Sequence, residues 1–501
     1  MTEKVKATEE AILDFRTDMS TVKRSAVHSI AIQLLFRLKG FITLPIMTHC
    51  LSPAEFGAFN LIIVTSSMLV PLFSLNLTDG PAIHLVQEQS KSRIVDMYNT
   101  VTNVVLLSSL LFLPLYWLIM WKYGGSFHNY SLLVMLVLYS NIFYKVTTYV
   151  LTIFQKTALL LKNTMLRDGA ATVLSVVLVV AGYSFMGWIV ALVLTNVAAG
   201  ALVYRITRRE LKYSFAIDKG ILLQFLGTAL PLLPVFFFTW IVQSSATYFL
   251  AYFKGQEAVG KYSVIFGYTN VILSLTFALN FFWFPISARL WVKDREKYRR
   301  AFKVIFAGFT TALFVIVALF ELNSKLIMEL LVRRHTYHDA YVITGIIAFA
   351  FAMQVLITLL TAPLYSNRNT KTIFTVYLCG GVINTVLNFL LIPLTGIIGA
   401  AISTAVSYLL IVLLMSCMNY RVARFAFFDN RLLPITVLFA LTWAGVALVR
   451  DWMHTYQLAL LNLVLLTAVG FLLYAKFLRR EEKAYLANMY SGLRSGVKPQ
   501  I

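Results

Sequence analysis

Apolar runs of close to twenty residues, separated by short polar breaks, recur from one end of this chain to the other. A membrane-spanning helix needs about 20 mostly apolar residues. Fourteen stretches meet that need: 26–50, 56–79, 99–120, 130–153, 168–184, 186–204, 221–250, 260–283, 302–321, 341–364, 372–392, 397–418, 433–449 and 458–475. Runs such as VLSVVLVVAG lack the apolar–polar alternation of a barrel wall, so the spans are helices. The connections between them are too short for a soluble domain. The pattern predicts an all-α, polytopic membrane protein.

Two stretches echo each other. LSPAEFGAFNLIIV (51–64) and FKGQEAVGKYSVIF (253–266) each run from a turn residue through Glu and Gly to an aromatic, opening a helix; Gly57 and Gly260 are 203 residues apart. Gly187 in AGYSFMGWIVA and Gly399 in PLTGIIGAAIS open spans six and twelve, 212 residues apart. Two parallel six-helix lobes account for both offsets. The expected organisation is a tail at 1–25, an N-lobe at 26–215, a C-lobe at 216–418, two more helices within 419–475 and a tail from 476 to 501. Turn chemistry common between membrane helices is the competing explanation.

Composition fits the hydropathy. Apolar residues make up 59% of the chain and charged residues 13%, against about 45–50% and about 25% in soluble domains. The net charge of +21 would suggest nucleic acid were it not for its placement. With the N-terminus inside, 33 of the 43 Lys and Arg fall in cytoplasmic segments, 7 outside and 3 within spans. That is the positive-inside bias for an even number of spans with both ends in the cytoplasm. Topology and membrane lipid headgroups account for the basic excess, and nucleic acid is not needed. Residues 1–25 lack a signal peptide. Cys50, Cys379 and Cys417 form no disulfide framework, and His335 and His338 lack a third ligand for zinc. Neither metal nor cofactor is expected.

Three stretches carry a resemblance: LSPAEFGAFNL, LPLLPVFFFTWIVQSSATYFLAYFKGQEAVGKYSV and LNFLLIPLTGIIGAAISTAVSYLL. They resemble the Wzx-type polysaccharide flippases of the multidrug/oligosaccharidyl-lipid/polysaccharide (MOP) exporter superfamily, which also holds the MATE transporters and lipid II flippases. The likeness runs from about residue 26 to residue 476. It implies fourteen helices, two lobes around a central cavity, and outward transfer of an undecaprenyl-pyrophosphate-linked oligosaccharide across a bacterial inner membrane, alongside a polysaccharide polymerase. Where many relatives carry an Asp-Arg pair in span seven, this chain has Ala246-Thr247, so no role of that pair carries over.

The ionisable residues within spans are the candidate chemistry. Arg37 and Lys39 lie in LLFRLKGF. Residues two apart on a helix point roughly opposite ways, and Arg37 takes the polar stripe of Ser29 and Gln33. Asn141, Lys145, Thr148 and Thr152 follow helical spacing and make one polar face on span four. Buried carboxylates would be the ordinary partners, but Asp79 and Asp168 sit at span edges and Glu321 at the outer end of span nine. An unpaired mid-bilayer charge costs about 2.5–3.5 kcal/mol, so a watery cavity is the cheaper home. A positive cavity suits a diphosphate: Arg37 would grip it with its planar fork, and Lys145 and Lys39 would support.

Sugar contacts would come from Gln243, Ser244, Ser245 and Tyr248 in span seven, Asn270 and Asn280 in span eight, and Asn384 and Asn388 in span eleven. The same residue types also bond across packed helices. Pro231 and Pro234 should kink span seven, as a hinge or as a packing bend. Antiport of the MATE kind would want a buried carboxylate, and none is expected. The alternatives are a MATE-like small-molecule exporter, disfavoured because its typical substrates are cations, and a membrane-embedded glycan polymerase. The latter is disfavoured by short outer loops and the lack of Asp-x-Asp.

Overall fold

The computed structural model describes residues 40–78, 90–153, 157–208, 213–367, 369–423 and 432–449, with Gln457 and Leu461. Among these residues there is no strand. In chain order the helices begin with α1 (Gly40–Cys50), α2 (Pro53–Phe73), α3 (Lys91–Tyr123), α4 (Ser131–Ile153), α5 (Thr157–Leu178) and α6 (Ser184–Thr207). They continue with α7 (Lys219–Ala229), α8 (Leu233–Thr269), α9 (Ser274–Ala278), α10 (Phe284–Lys293) and α11 (Arg295–Leu322). The last are α12 (Ser324–Leu331), α13 (Thr344–Ser366), α14 (Thr370–Thr395), α15 (Ile397–Ala423) and α16 (Leu432–Val449).

Nine stretches among the described residues are long and apolar enough to cross a membrane. Two of them, Ala158–Thr207 and Lys219–Phe277, are 50 and 59 residues long. At about 1.5 Å per residue, 50 residues in a straight helix would reach about 75 Å, more than twice a bilayer core of about 30 Å. Each therefore holds two crossings, and the backbone shows where they part. Gly182 (φ 95°) and Ser184 (φ 50°) divide the first, and Gly255 (φ 81°) divides the second. The polytopic fold is as expected, and fourteen is its approximate span count. The first expected span is described only from Gly40, and the last lies outside the described residues except Leu461.

Capping side chains set the helix starts that hydropathy alone leaves vague. At α2 the Ser52 N–H donates to Glu55 Oε2 (2.8 Å) and the Glu55 N–H donates to Ser52 Oγ (3.3 Å), a reciprocal capping box. Asp218 accepts from the Ile221 N–H (2.9 Å) at α7. Asp294 accepts from the Glu296 and Lys297 N–H groups (3.1 and 2.9 Å) at α11. Each satisfies backbone donors that the first helical turn leaves open.

By their contacts the described residues form two units. One holds those up to Trp240 together with Ser274–Phe282, and the other holds Ile241–Leu273 and those from Trp283 onward. The segment after residue 216 stays with the first unit. Asn103 Nδ2 donates to the Ser214 and Ala216 carbonyls (3.0 and 2.9 Å), and the Asp218 N–H donates to Thr100 Oγ1 (3.1 Å). Ile221, Phe225 and Ala229 of α7 then enter the same apolar core as Ile62, Val105 and Val134.

Within each unit the same three-helix motif recurs. In the first, α6 packs chiefly on α4 and α5; in the second, α15 packs chiefly on α13 and α14. Each packing helix follows a left-handed glycine, Gly182 or Gly396 (φ 61°). Each also has a glycine set hard against the end of the helix before it. A Cβ on Gly187 would lie 2.8 Å from Leu178 Cβ, and one on Gly399 would lie 2.5 Å from the Leu391 carbonyl oxygen. The second glycine echo in the sequence is thus a close turn made twice. The first echo diverges: Glu55 caps α2, whereas Glu257 pairs with Lys261 (3.1 Å) one turn along α8.

Candidate functional site

A cavity of about 670 Å³ lies in the first unit. Ile63, Ser67, Val70 and Pro71 of α2 form one wall, and Val137, Asn141 and Lys145 of α4 face them. Leu192 of α6, Leu232, and Val235, Phe236 and Thr239 of α8 complete the lining, with Asn76 at the end of α2. Lys145 is its one charged lining residue among those described. A second space of about 490 Å³ is bordered by Arg93, Asp96 and Asp218, so its charges are mixed.

Local sequence explains how the lining is placed. Proline cannot donate a backbone hydrogen bond, and Pro71 sits in the last turn of α2. Past it the chain turns on Leu75 and Asn76, both left-handed (φ 50° and 55°), with the Asn76 N–H donating to the Pro71 carbonyl (2.8 Å). Such conformations cost on the order of 1–3 kcal/mol each outside glycine, and this pair brings Asn76 into the wall. On the other side a short 3-10 turn at Leu230–Leu232, with Pro231 inside it and Pro234 just after it, joins α7 to α8. Leu232, Val235 and Phe236 reach the cavity from that turn.

The polar stripe read on span four divides in two. Asn141 and Lys145 line the cavity. Thr148 is buried, with its hydroxyl donating to the Tyr144 carbonyl (2.7 Å). Asn141 is tied to its surroundings on two sides. Its Nδ2 donates to the Val137 carbonyl (2.9 Å), and its Oδ1 accepts from Asn196 Nδ2 of α6 (3.2 Å). Asn196 Nδ2 also donates to Ser140 Oγ (3.2 Å).

The other candidates are placed as follows. Arg37 and Lys39 lie outside the described residues. Gln243, Ser244 and Tyr248 are half-buried on α8, Asn270 is half-buried just after it, and Asn280 is exposed. Asn384 and Asn388 are brought together with Ser245 in the second unit, both at 0% exposure. Ser245 Oγ donates to Asn384 Oδ1 (2.8 Å), Asn388 Nδ2 donates to Ser245 Oγ (3.0 Å), and Asn384 Nδ2 donates to Ser407 Oγ (3.1 Å). In this conformation the knot fastens α8, α14 and α15 to one another and leaves no surface to a ligand. Ala246 and Thr247 are buried beside it.

Two charged features differ from expectation. The fifth span was expected from residue 168, with Arg167 outside it and Asp168 at its edge. Instead α5 begins at Thr157, so both residues lie in mid-helix, about 15 Å along it. They are tolerated there because they neutralise each other: Arg167 Nε and Nη2 both donate to Asp168 Oδ1 (2.9 and 2.7 Å). The guanidinium also lies over the Tyr144 ring, 4.1 Å from its centroid. The second correction is a buried carboxylate where none was expected. Glu321 is 3% exposed. Gly345 of α13 leaves room for it, since a Cβ there would overlap the carboxylate, and the neighbouring Thr344 shares a hydrogen bond with Tyr268. Sequence could not show this, because the residues that enclose Glu321 come from other helices.

These helices have the fold of a multi-pass membrane protein. The structure is similar to one described as "Lipid II flippase MurJ, inward closed conformation", with a TM-score of 0.65 and 12% identity over 90% of this chain and 100% of that one. It is also similar to an inward-facing MATE family multidrug resistance transporter of the MOP superfamily (TM-score 0.56, 14% identity, 80% and 99% covered). A MOP superfamily transporter from Pyrococcus furiosus is a third (TM-score 0.53, 14% identity, 80% and 95% covered). The model of the polysaccharide biosynthesis protein family matches residues 22–291, and the chain belongs to that family. No curated protein sequence matches it.

Proposed function

We propose that this protein moves an undecaprenyl-pyrophosphate-linked oligosaccharide from the cytoplasmic to the outer leaflet of a bacterial inner membrane. It does so by alternating access, with both termini cytoplasmic, as the flippase step of O-antigen, capsule or exopolysaccharide assembly. The observation that supports this best is Lys145 in the cavity wall, one turn from the Asn141 amide, in a chain of the polysaccharide biosynthesis family. A positive wall with an amide beside it suits phosphate oxygens better than the cations that drug exporters typically carry. Arg37 and Lys39, outside the described residues, are assigned to the same anion. Gln243, Ser244, Tyr248, Asn270 and Asn280 are assigned to sugar contacts. Asn384 and Asn388 can join them only if their knot opens, and Pro231 and Pro234 mark the hinge. With the cell interior negative, outward movement of an anion is assisted by about 2.3 kcal/mol per charge per 100 mV.

The test is glycan export in cells carrying Lys145→Ala, Arg37→Ala or Arg37→Lys. Lipid-linked glycan should accumulate on the cytoplasmic face in the alanine variants at unchanged protein level. Normal surface polysaccharide in both alanine variants would remove the cations from the mechanism. Repeat units that reach the outer face but stay unpolymerised would point to a polymerase instead.

A further inference from the structure

We infer that Asn196, a residue outside the cavity, is a positioning residue that fixes the donor face of the cavity wall, so that the site takes an anion of the diphosphate class. The inference rests on the proposed function, in which this cavity receives the diphosphate. Its basis is a chain of hydrogen bonds whose direction is set at one end by a group that can only accept. The Val137 carbonyl receives Asn141 Nδ2 (2.9 Å) and Ser140 Oγ (2.9 Å). A carbonyl has no proton to give, so the nitrogen end of the Asn141 amide must face Val137. Its oxygen then faces Asn196, 3.2 Å away, which must donate through its own nitrogen. The Ser140 hydroxyl has already given its proton to Val137, so its lone pair accepts the second Asn196 N–H (3.2 Å). Every link has one possible sense, and Asn196, at 3% exposure, closes the chain from α6.

The consequence lies on the cavity side. With its oxygen held by Asn196 and one N–H held by Val137, the Asn141 amide has one N–H left for the cavity it lines. Lys145 stands one helical turn further along the same wall. An amide N–H and an ammonium side by side are both donors, and phosphate oxygens accept from both. A reversed amide would put a carbonyl oxygen in place of that N–H and oppose an anion. Asn196 prevents that reversal because its two N–H groups need the Asn141 oxygen and the Ser140 lone pair where they now are.

Calorimetric titration of the purified full-length protein with pyrophosphate, and separately with farnesyl diphosphate, tests this. Asn196→Leu should weaken binding of both probes by about tenfold, the scale of one hydrogen bond to a charged group. In an Asn141→Leu background the same substitution should cost nothing further, because Asn196 acts only through Asn141. A merely structural role would give equal losses in both backgrounds. That result, or no loss from Asn196→Leu, overturns the inference. Asn196→Ser, checked by thermal unfolding, replaces the leucine variant if that variant does not fold. Lys145→Met separates the two readings: equal pyrophosphate binding by wild type and Lys145→Met, or none by either, removes the anion site and this inference with it. Loss in Lys145→Met without loss in Asn196→Leu removes the inference alone. Tighter binding of farnesyl diphosphate than pyrophosphate identifies a lipid-borne anion, and equal binding a free one; Asn196 keeps its role in either case only if the background dependence holds.

Discussion

Removing one charge of the pair inside α5 should do more harm than removing both. Arg167 and Asp168 are joined by two hydrogen bonds to a single carboxylate oxygen, at 2.7 and 2.9 Å, with side chains 21% and 22% exposed. Breaking a fully buried pair by deleting one partner costs about 3–5 kcal/mol, because the other charge is left in low dielectric. With a fifth of each side chain still reaching the outside of the fold, screening lowers that to roughly 2–3 kcal/mol for Asp168→Asn. Arg167→Gln should cost a similar amount, since it also removes the guanidinium stacked on Tyr144 at 4.1 Å. The double substitution leaves no bare charge and loses only the neutral remainder, about 1 kcal/mol. The cycle therefore predicts a coupling of roughly 3–5 kcal/mol, the double variant unfolding above both singles. Tryptophan fluorescence during thermal unfolding of the four purified proteins reads this order directly. Additive losses, with the double variant least stable of all, would refute the claim that each charge is tolerated in mid-helix because of the other.

The turn used twice gives a second prediction. Gly399→Ala should destabilise by about 1–3 kcal/mol, because its Cβ would press on the Leu391 backbone carbonyl, which cannot yield as a side chain can. Gly227→Ala in α7 has open space around it and should gain about 0.5–1 kcal/mol of helix preference, so equal melting of the two variants would contradict the packing. A third concerns mobility: in hydrogen exchange, amides of α4 around Asn141–Tyr149 should outlast those of Leu72–Leu77 and Leu230–Phe236 by at least tenfold. Uniform protection across the three segments would show that the proline breaks are as firm as the helix.

Much of this architecture is written plainly in the chain. Spans three, four and six to twelve follow from apolar length alone, and Ser52-x-x-Glu55 announces the start of α2. The paired glycines 212 residues apart mark a turn that is built twice. That α5 begins eleven residues before the expected start of span five has a physical cause. Lys162, Arg167 and Asp168 lower local hydropathy, and only the pairing of the last two, with Tyr144 above them, reveals that the helix tolerates them. Asn196 looks unremarkable in LVLTNVAAG, since its partners lie 55 and 56 residues earlier on another helix. Glu321 likewise reads as an end-of-span carboxylate until Gly345 and Tyr268 are seen around it. The sequence carries what is local in period or spacing; these three features depend on which helices meet.

That dependence also divides the cavity into a fixed side and a yielding one. The α4 wall is keyed from two directions, by Asn196 of α6 at Asn141 and by Thr164 and Arg167 of α5 at Tyr144. Neighbouring residues on a helix point about 100° apart, so Tyr144 can be held by α5 while Lys145 is presented to the cavity. The opposite wall ends at Pro71 and the left-handed Leu75–Asn76 pair, and the third side hangs on the 3-10 turn at Leu230–Leu232, where Pro231 and Pro234 remove backbone donors. Both places lack the uninterrupted ladder of backbone hydrogen bonds that stiffens α4, and the first stores strain as well. The proposed function requires the charge-recognising groups to stay in register while the space around them changes shape. Placing Lys145 and Asn141 on the straight α4 wall, and the prolines where the other walls bend, meets both needs within one unit.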